Sequence, residues 1–286
     1  MSLAQLLGKR LARQREFDQW ARDMPGVHPL RHWHALRICW PILSAGRQTI
    51  LDVGANPLPW LRTIRHFAGA RHTLWSGCQG GESQKPQAAE GIQHLDVEFD
   101  IWSPFRQADA TNTLPERTFS LITALYTIEY LYHPDAFLRA AADALTPNGA
   151  IVITASNVAG SHNILGLLRG GGLSANLDSL IRPQIPRPRV REYCWRELRD
   201  AAFAAGLAPV AHGFYDDPAD RVNDEDQRKI ESAASPLLSE RPQLQSEMFL
   251  VLRKPTGLRR LRPAAAPFVH AARVRLGHLR ARLRRA

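Results

Sequence analysis

A short apolar run, Thr49–Val53, delivers an acid and a glycine together in Leu51-Asp52-Val53-Gly54-Ala55-Asn56-Pro57, which feeds a helical stretch at Leu58–Phe67. An acid-x-Gly at a strand end suits a nucleotide-binding crossover, because glycine turns the chain sharply and lets a ligand approach the backbone. Tight strand-to-helix turns also occur without a ligand, so these residues leave both readings open. Asp100 ends a second, alternating segment, Ile92–Ile101. A carboxylate there either accepts a hydrogen bond from a ligand amino group or caps a loop. Glu129 follows a buried-type run, Phe119–Ala124, where an acid either faces a site or sits at the N-terminus of the next helix. His133 and His162 are the side chains placed to take a proton near neutrality, and each is also readable as a satisfied structural histidine. His28, His32 and His34 have no acid or cysteine beside them and, with Trp33 and Trp40, read as a packed helical face rather than a metal site.

The elements that must position these residues follow from apolar spacing. Helical patterns cover residues 1–22, His28–Leu43, Leu58–Phe67, Pro134–Leu145 (stopped by Pro147-Asn148-Gly149) and Cys194–Ala205 (ending at Gly206). Strand patterns cover Thr49–Val53, His72–Trp75, Ile92–Ile101, Phe119–Ala124, Ala150–Thr154, Val210–Tyr215 and Met248–Leu252. Strands separated by helices are the signature of an α/β fold, here a doubly wound, seven-stranded, mostly parallel sheet, and the last two strands suit a mixed edge. The G-x-G-x-x-G pattern is absent and no acid follows His72–Cys78 to hold a ribose hydroxyl, which argues against a nicotinamide dinucleotide. Three scattered cysteines, Cys39, Cys78 and Cys194, exclude a disulfide framework and a cysteine zinc site and point to a reducing cytosol. No apolar run reaches the ~18–20 residues of a membrane-spanning helix, and no leader peptide is read at the N-terminus.

Taken together, the motifs resemble the class I S-adenosylmethionine-dependent methyltransferases. The resemblance is carried by Asp52-Val53-Gly54, by Val97-Glu98-Phe99-Asp100, by Thr118-Phe119-Ser120-Leu121-Ile122 leading to Ile128-Glu129-Tyr130-Leu131 and Pro134, and by Leu145-Thr146-Pro147-Asn148-Gly149 leading to Ser156-Asn157. It covers about residues 49–215 and implies the Rossmann-like methyltransferase fold with a reversed final strand. It also implies S-adenosyl-L-methionine as cofactor, lying across the ends of strands one, two and four. Carried over position by position, Asp52, Gly54, Asn56, Asp100 and Tyr126 would bind the cofactor, Asp100 through the adenine amino group. Glu129 would serve catalysis and Asn157 would face the acceptor, while His133 and His162 are base candidates on the reading of the residues themselves. The loop departs from the family in having one glycine, Tyr130 replaces the usual histidine, and Gln79 or Glu82 would have to replace the missing acid after strand two. The segments Ser161–Gly170 and Arg189-Val190-Arg191-Glu192-Tyr193 resemble a subgroup met in bacterial cell-envelope glycan and lipid biosynthesis, with Arg189 where the subgroup has histidine. Gly170-Gly171-Gly172 and the prolines at 183, 186 and 188 suit a lid over the crevice. Arg191 and Tyr193 then either face the acceptor or anchor the helix 194–205.

Charge divides the chain. Of 37 basic residues, nine arginines lie after residue 255 with no acid among them, leaving 28 basic and 27 acidic residues before it. The expected organisation is an N-terminal helical extension (1–45), a methyltransferase domain (46–255) and a basic amphipathic tail (256–286). On a helical wheel Phe268, Val269, Ala272, Leu276, Leu279 and Leu283 share one face flanked by arginines. That suits an anionic membrane surface better than nucleic acid, with docking on the protein's own body as the other use. The expected function is methyl transfer to a small-molecule, glycan or lipid-linked acceptor by a cytoplasmic, membrane-associated enzyme. A non-catalytic scaffold on the same fold and an RNA or protein methyltransferase are the alternatives.

Overall fold

Apolar runs of five to seven residues with no polar face can only be strands covered on both sides, and they form the middle of the sheet. The computed structural model describes residues 3–24, 26–54, 56, 58–78, 91–96, 117–131, 133–168, 189–216 and 241–255. The elements are α1 (Leu3–Asp23), α2 (Pro29–Ser44), β1 (Thr49–Val53), α3 (Leu58–Ala68), β2 (Thr73–Cys78), β3 (Ile92–Asp96), β4 (Phe119–Leu125), a 3-10 turn (Ile128–Tyr130), α4 (Pro134–Ala144), β5 (Leu145–Ser156), α5 (Ser161–Leu168), α6 (Trp195–Ala204), β6 (Ala208–Tyr215) and β7 (Glu247–Arg253).

The seven strands form a single sheet in the order β3-β2-β1-β4-β5-β7-β6. The pairs from β3 to β5 are parallel, and β7 runs antiparallel to both β5 and β6. This is the seven-stranded, mostly parallel sheet with a reversed final strand. Strand order turns around between β1 and β4, the place where such sheets open a ligand crevice beyond their carboxyl ends.

Each face of the sheet has its own core. On one, Phe137, Leu138 and Ala141 of α4 and Leu198 and Ala202 of α6 pack on Val53, Ile122, Ile151 and Leu250. On the other, Phe17 of α1 and Trp33, Leu36, Cys39 and Leu43 of α2 join Leu61 and Ile64 of α3 against Ile50, Leu121 and Val152. The N-terminal helices therefore share a core with the sheet.

Two local boundaries differ from the sequence expectation. The Pro147-Asn148-Gly149 stop lies inside β5, which begins at Leu145 directly after α4. The stop is present as a bulge: Phe119 pairs with Leu145 but Leu121 with Ala150, so β5 carries three residues more than β4 between the two pairs. Gly149 is needed there, since a Cβ would lie 2.8 Å from Leu145 Cδ2 and 3.0 Å from the Phe119 carbonyl oxygen. The second strand is longer than expected, reaching Cys78. The end of α6 at Gly206 follows the expectation, with φ +74 at the glycine and the Leu207 amide returning to the Ala202 carbonyl. The lid glycines, the Pro-rich stretch, Gln79, Glu82, Asp100 and the 263–286 tail lie outside the described residues.

Candidate functional site

Asp52 is the fourth residue of β1, aligned with Ser76 of β2 and Thr123 of β4. Parallel neighbours on both sides bury it to 4% exposure. Its partner is Thr123, whose hydroxyl donates to Oδ1 at 2.5 Å while accepting the Trp60 indole N–H of α3 at 3.0 Å. Burial pushes the Asp52 carboxyl up to about 8, against the lowering effect of the Thr123 bond. At neutral pH this is a largely neutral acid, able to donate as well as accept.

β1 ends at Gly54, whose amide donates to the Gly77 carbonyl at 3.0 Å. A Cβ at Gly54 would lie 2.9 Å from the Thr127 hydroxyl, which itself donates to the Val53 carbonyl at 2.8 Å. The glycine requirement thus has a cause within the chain as well as any toward a ligand. β4 is followed by Tyr126, which takes φ +53 although it carries a side chain. Its amide donates to the Thr154 carbonyl at 2.9 Å and its hydroxyl meets that of Tyr215 at 2.7 Å, so both ends hold it in that conformation.

These strand ends open into a cleft of about 170 Å3 lined by Asp52, Gly54, Asn56 and Tyr126 together with His28, Arg31, His32, Trp60 and Leu125. Four of the five expected cofactor residues come together there, and the fifth, Asp100, lies outside the described residues. The cleft's other wall is α2. The His28 amide donates to His32 Nδ1 at 2.8 Å, which leaves the proton of a neutral His32 ring on Nε2. Burial, helped by His28, lowers the His32 pKa to about 4, so the ring is neutral at physiological pH. The Arg31 guanidinium lies 4.1 Å over the Tyr126 ring and 3.2 Å from Glu247. The reading of His28, His32 and His34 as a packed helical face is corrected here: Trp33 turns into the core, while His28 and His32 line the cleft and His34 stacks on Tyr215 at 4.2 Å.

The remaining candidates do not line the cleft. Glu129, fully buried on the 3-10 turn, accepts the Ser156 amide through Oε1 and pairs with Arg189 Nε at 3.0 Å through Oε2. Its pKa is raised by burial, against the pull of Arg189. Arg189 also pairs with Glu192 at 2.7 Å, and Glu192 accepts from Asn163 of α5 at 2.7 Å. Asn157 is buried and uses its amide on the Gln243 and Gln245 carbonyls, both at 2.8 Å. His133 is exposed and precedes α4 at its N-cap position. His162 stands on α5, its ring 2.9 Å from where a Gly160 Cβ would be. Of the two readings of Arg191 and Tyr193, the geometry supplies anchoring: Arg191 stacks 4.6 Å over the Tyr193 ring and pairs with Glu197 in the first turn of α6, and Tyr193 is buried in the core. Burial pushes the Tyr193 hydroxyl up to about 12.

Sequence reasoning missed Arg31, His32, Trp60, Tyr215 and Glu247. Trp60 had a legible signal, a large aromatic two positions into the helix after the Gly54 turn. The others come from α2, β6 and β7, and only the tertiary fold brings them to one edge.

A buried acid at the end of β1, a strained residue after β4 and a polar cleft at the turn-around of strand order define a class I methyltransferase architecture. A family model described as a methyltransferase domain matches residues 39–212, more than half of the sequence, and the chain belongs to that family. Among solved structures it is similar to the complex between the Haloferax volcanii Trm112 methyltransferase activator and a methyltransferase, with 16% identity over 85% of this chain and 98% of that one and a TM-score of 0.51. It is likewise similar to a SAM-dependent methyltransferase from Archaeoglobus fulgidus, with 13% identity over 77% and 92% of the two chains and a TM-score of 0.51. At such identities the likeness is one of fold. No curated protein matches the sequence.

Proposed function

We propose that this chain transfers a methyl group from S-adenosylmethionine to a small-molecule, glycan or lipid-linked acceptor in cell-envelope or secondary biosynthesis. The observation that carries the reading is the polar cleft at the β1/β4 turn-around. Its volume of about 170 Å3 suits the methionine half of the cofactor. Its residues suit a zwitterion: Arg31 and the His32 N–H are donors for a carboxylate, and the Asn56 side chain accepts from an ammonium. Asp52 and Tyr126 complete that hold, and Asp100 is proposed for the adenine amino group. When bound, the cofactor supplies an activated methyl on a sulfonium with a neutral thioether leaving group. The chain's own task is then alignment and exclusion of water, an effect worth up to ~7–11 kcal/mol in model systems. The base candidates Glu129, His133 and His162 stand outside the cleft lining, which favours an acceptor that needs no proton removed by them.

The basic tail belongs to the same proposal. Residues 263–286 would hold the enzyme on the cytoplasmic face of an anionic membrane, its apolar stripe buried and its arginines at lipid phosphates. Among the described residues no helix is long and apolar enough to cross a membrane.

Calorimetry with S-adenosylmethionine and S-adenosylhomocysteine tests the cofactor reading. The full chain is expected to bind both. Asn56→Ala should weaken binding by ~1–3 kcal/mol at an unchanged melting temperature, since Asn56 is exposed and belongs to no core. A non-catalytic protein on the same fold is the second reading, favoured by the single glycine of Gly54-Ala55-Asn56-Pro57. Absence of heat with either ligand supports that reading and overturns the enzyme.

A further inference from the structure

Beside the cleft, at the same carboxyl edge but over β4, β5, β7 and β6, lies a second cluster. Glu247, the first residue of β7, has no exposed surface and is flanked in register by Ser156 of β5 and Tyr215 of β6. The Tyr126 and Tyr215 hydroxyls meet at 2.7 Å, and His34 stacks on Tyr215 with the rings 11° from parallel. A buried carboxylate next to an aromatic face is the composition of a site for an organic cation. The cluster already holds one. Arg31 lies 4.1 Å over the Tyr126 ring and 3.2 Å from Glu247 Oε1.

Arg31 belongs to the cap helix α2, lines the open cleft and keeps 22% of its side chain exposed. Its side chain therefore meets solvent in the cleft, whereas the Glu247 side chain has no exposed surface. If Arg31 moves away, the Glu247 carboxylate is stabilised by a replacement cation or neutralised by a proton, because an uncompensated buried charge is strongly disfavoured. Exchange of one cation for another keeps the carboxylate ionised and compensated. Tyr126 links the two sites. Held at φ +53, it contributes to the cleft wall and also forms one wall of the cluster, so a group bound at Glu247 lies next to the proposed cofactor position.

We propose that Glu247, Tyr126 and Tyr215 form a recognition subsite for an ammonium or guanidinium group of the acceptor, and that Arg31 is the resident cation which the acceptor displaces. The proposal rests on the methyltransferase reading of the adjoining cleft. The subsite anchors the acceptor by its charge and takes part in no bond-making step.

Titration of the full-length chain with tetramethylammonium chloride, blanked with sodium chloride at equal ionic strength, tests it. Arg31→Ala should bind the probe at least tenfold more tightly than wild type, and adding Glu247→Gln should remove the gain. Circular dichroism and thermal unfolding accompany each variant. If the double variant does not fold, Arg31→Ala with Tyr126→Leu must show the same loss. Equal affinity in wild type and Arg31→Ala overturns the subsite. So does failure of Arg31→Ala to fold, because the pair would then hold the structure together instead of exchanging. The same variants are titrated with cationic S-adenosylmethionine and neutral S-adenosylhomocysteine. A gain for the cation over the neutral ligand as large as that for tetramethylammonium assigns the cluster to the donor sulfonium and overturns the acceptor reading. No heat from either nucleoside with wild type sinks the methyltransferase reading while leaving the tetramethylammonium outcome to decide the subsite by itself.

Discussion

Asp52 carries an acid into the centre of the sheet, where its ionised form is penalised. Its pKa of about 8, against an ordinary value of 3.8, means that the folded chain holds a proton that the unfolded chain has lost. Its contribution to stability is therefore full below about pH 4 and declines as pH rises toward 8. Asp52→Asn keeps an acceptor for Thr123 and removes the titration. The stability difference between the Asn variant and wild type should therefore grow in favour of Asn from pH 5 to pH 8.5, read by urea unfolding. A difference that does not change with pH refutes the assignment. Asp52 and Gly54 were legible as strand-end residues from type and spacing alone. The protonation of Asp52 was not, because it depends on burial beneath Trp60 and Thr123, which no local pattern reports. Nor was the contact between Gly54 and the Thr127 hydroxyl.

At the scale of elements, Glu129 acts as a staple. It receives the Ser156 amide from the end of β5 and the ion pair from Arg189, and its carbonyl accepts the amides of Val190 and Arg191 at 2.8 and 3.2 Å. Glu192 extends the link to Asn163 of α5. The staple therefore ties α5 and the extended 189–192 segment to the same strand ends. Glu129→Ala would leave Arg189, about one-third exposed, with Glu192 as its acid partner, and would free the Ser156 amide. The expected cost is about 1–3 kcal/mol in urea denaturation, the range for a buried donor left without its acceptor. A loss below ~1 kcal/mol would show that the network is incidental. Strand and helix positions here were legible because their apolar periods are strong. The β5 bulge was not, since Pro147-Asn148-Gly149 reads locally as a stop and only pairing with β4 keeps it in the sheet. Arg189 was visible as a departure from the related motif, but its bridging of two acids required their positions in space.

At the scale of the molecule, the N-terminal cap shares its core with the sheet, and residues 256–286 carry nine of the ten units of net positive charge. Seven strands and their mixed edge were readable from the sequence, since each strand announces itself locally. That α2 would form a wall of the cleft was not, because His28, Arg31 and His32 meet Asp52 and Tyr126 only through the packing of Trp33, Leu36 and Cys39. The charge partition leads to a separate expectation. The full chain should sediment with anionic vesicles and not with neutral ones, and a chain ending at Pro255 should stay in solution. Leu276→Glu with Leu283→Glu should release the full chain, and rising salt should weaken it. If the full chain stays in the supernatant with anionic lipid at low salt, the membrane reading is wrong.

Among the described residues, the last strand in sequence is not the last in space. β7 lies between β5 and β6, so while the ribosome works through residues 157–246 the edge of β5 waits without a neighbour. At ~5–20 residues per second this interval lasts roughly 5–20 s. An unpaired edge of Ile151, Val152 and Ile153 is a place for nascent chains to join one another. The sheet is completed only once residues 247–253 have been made, so truncations before residue 253 should yield aggregated chains.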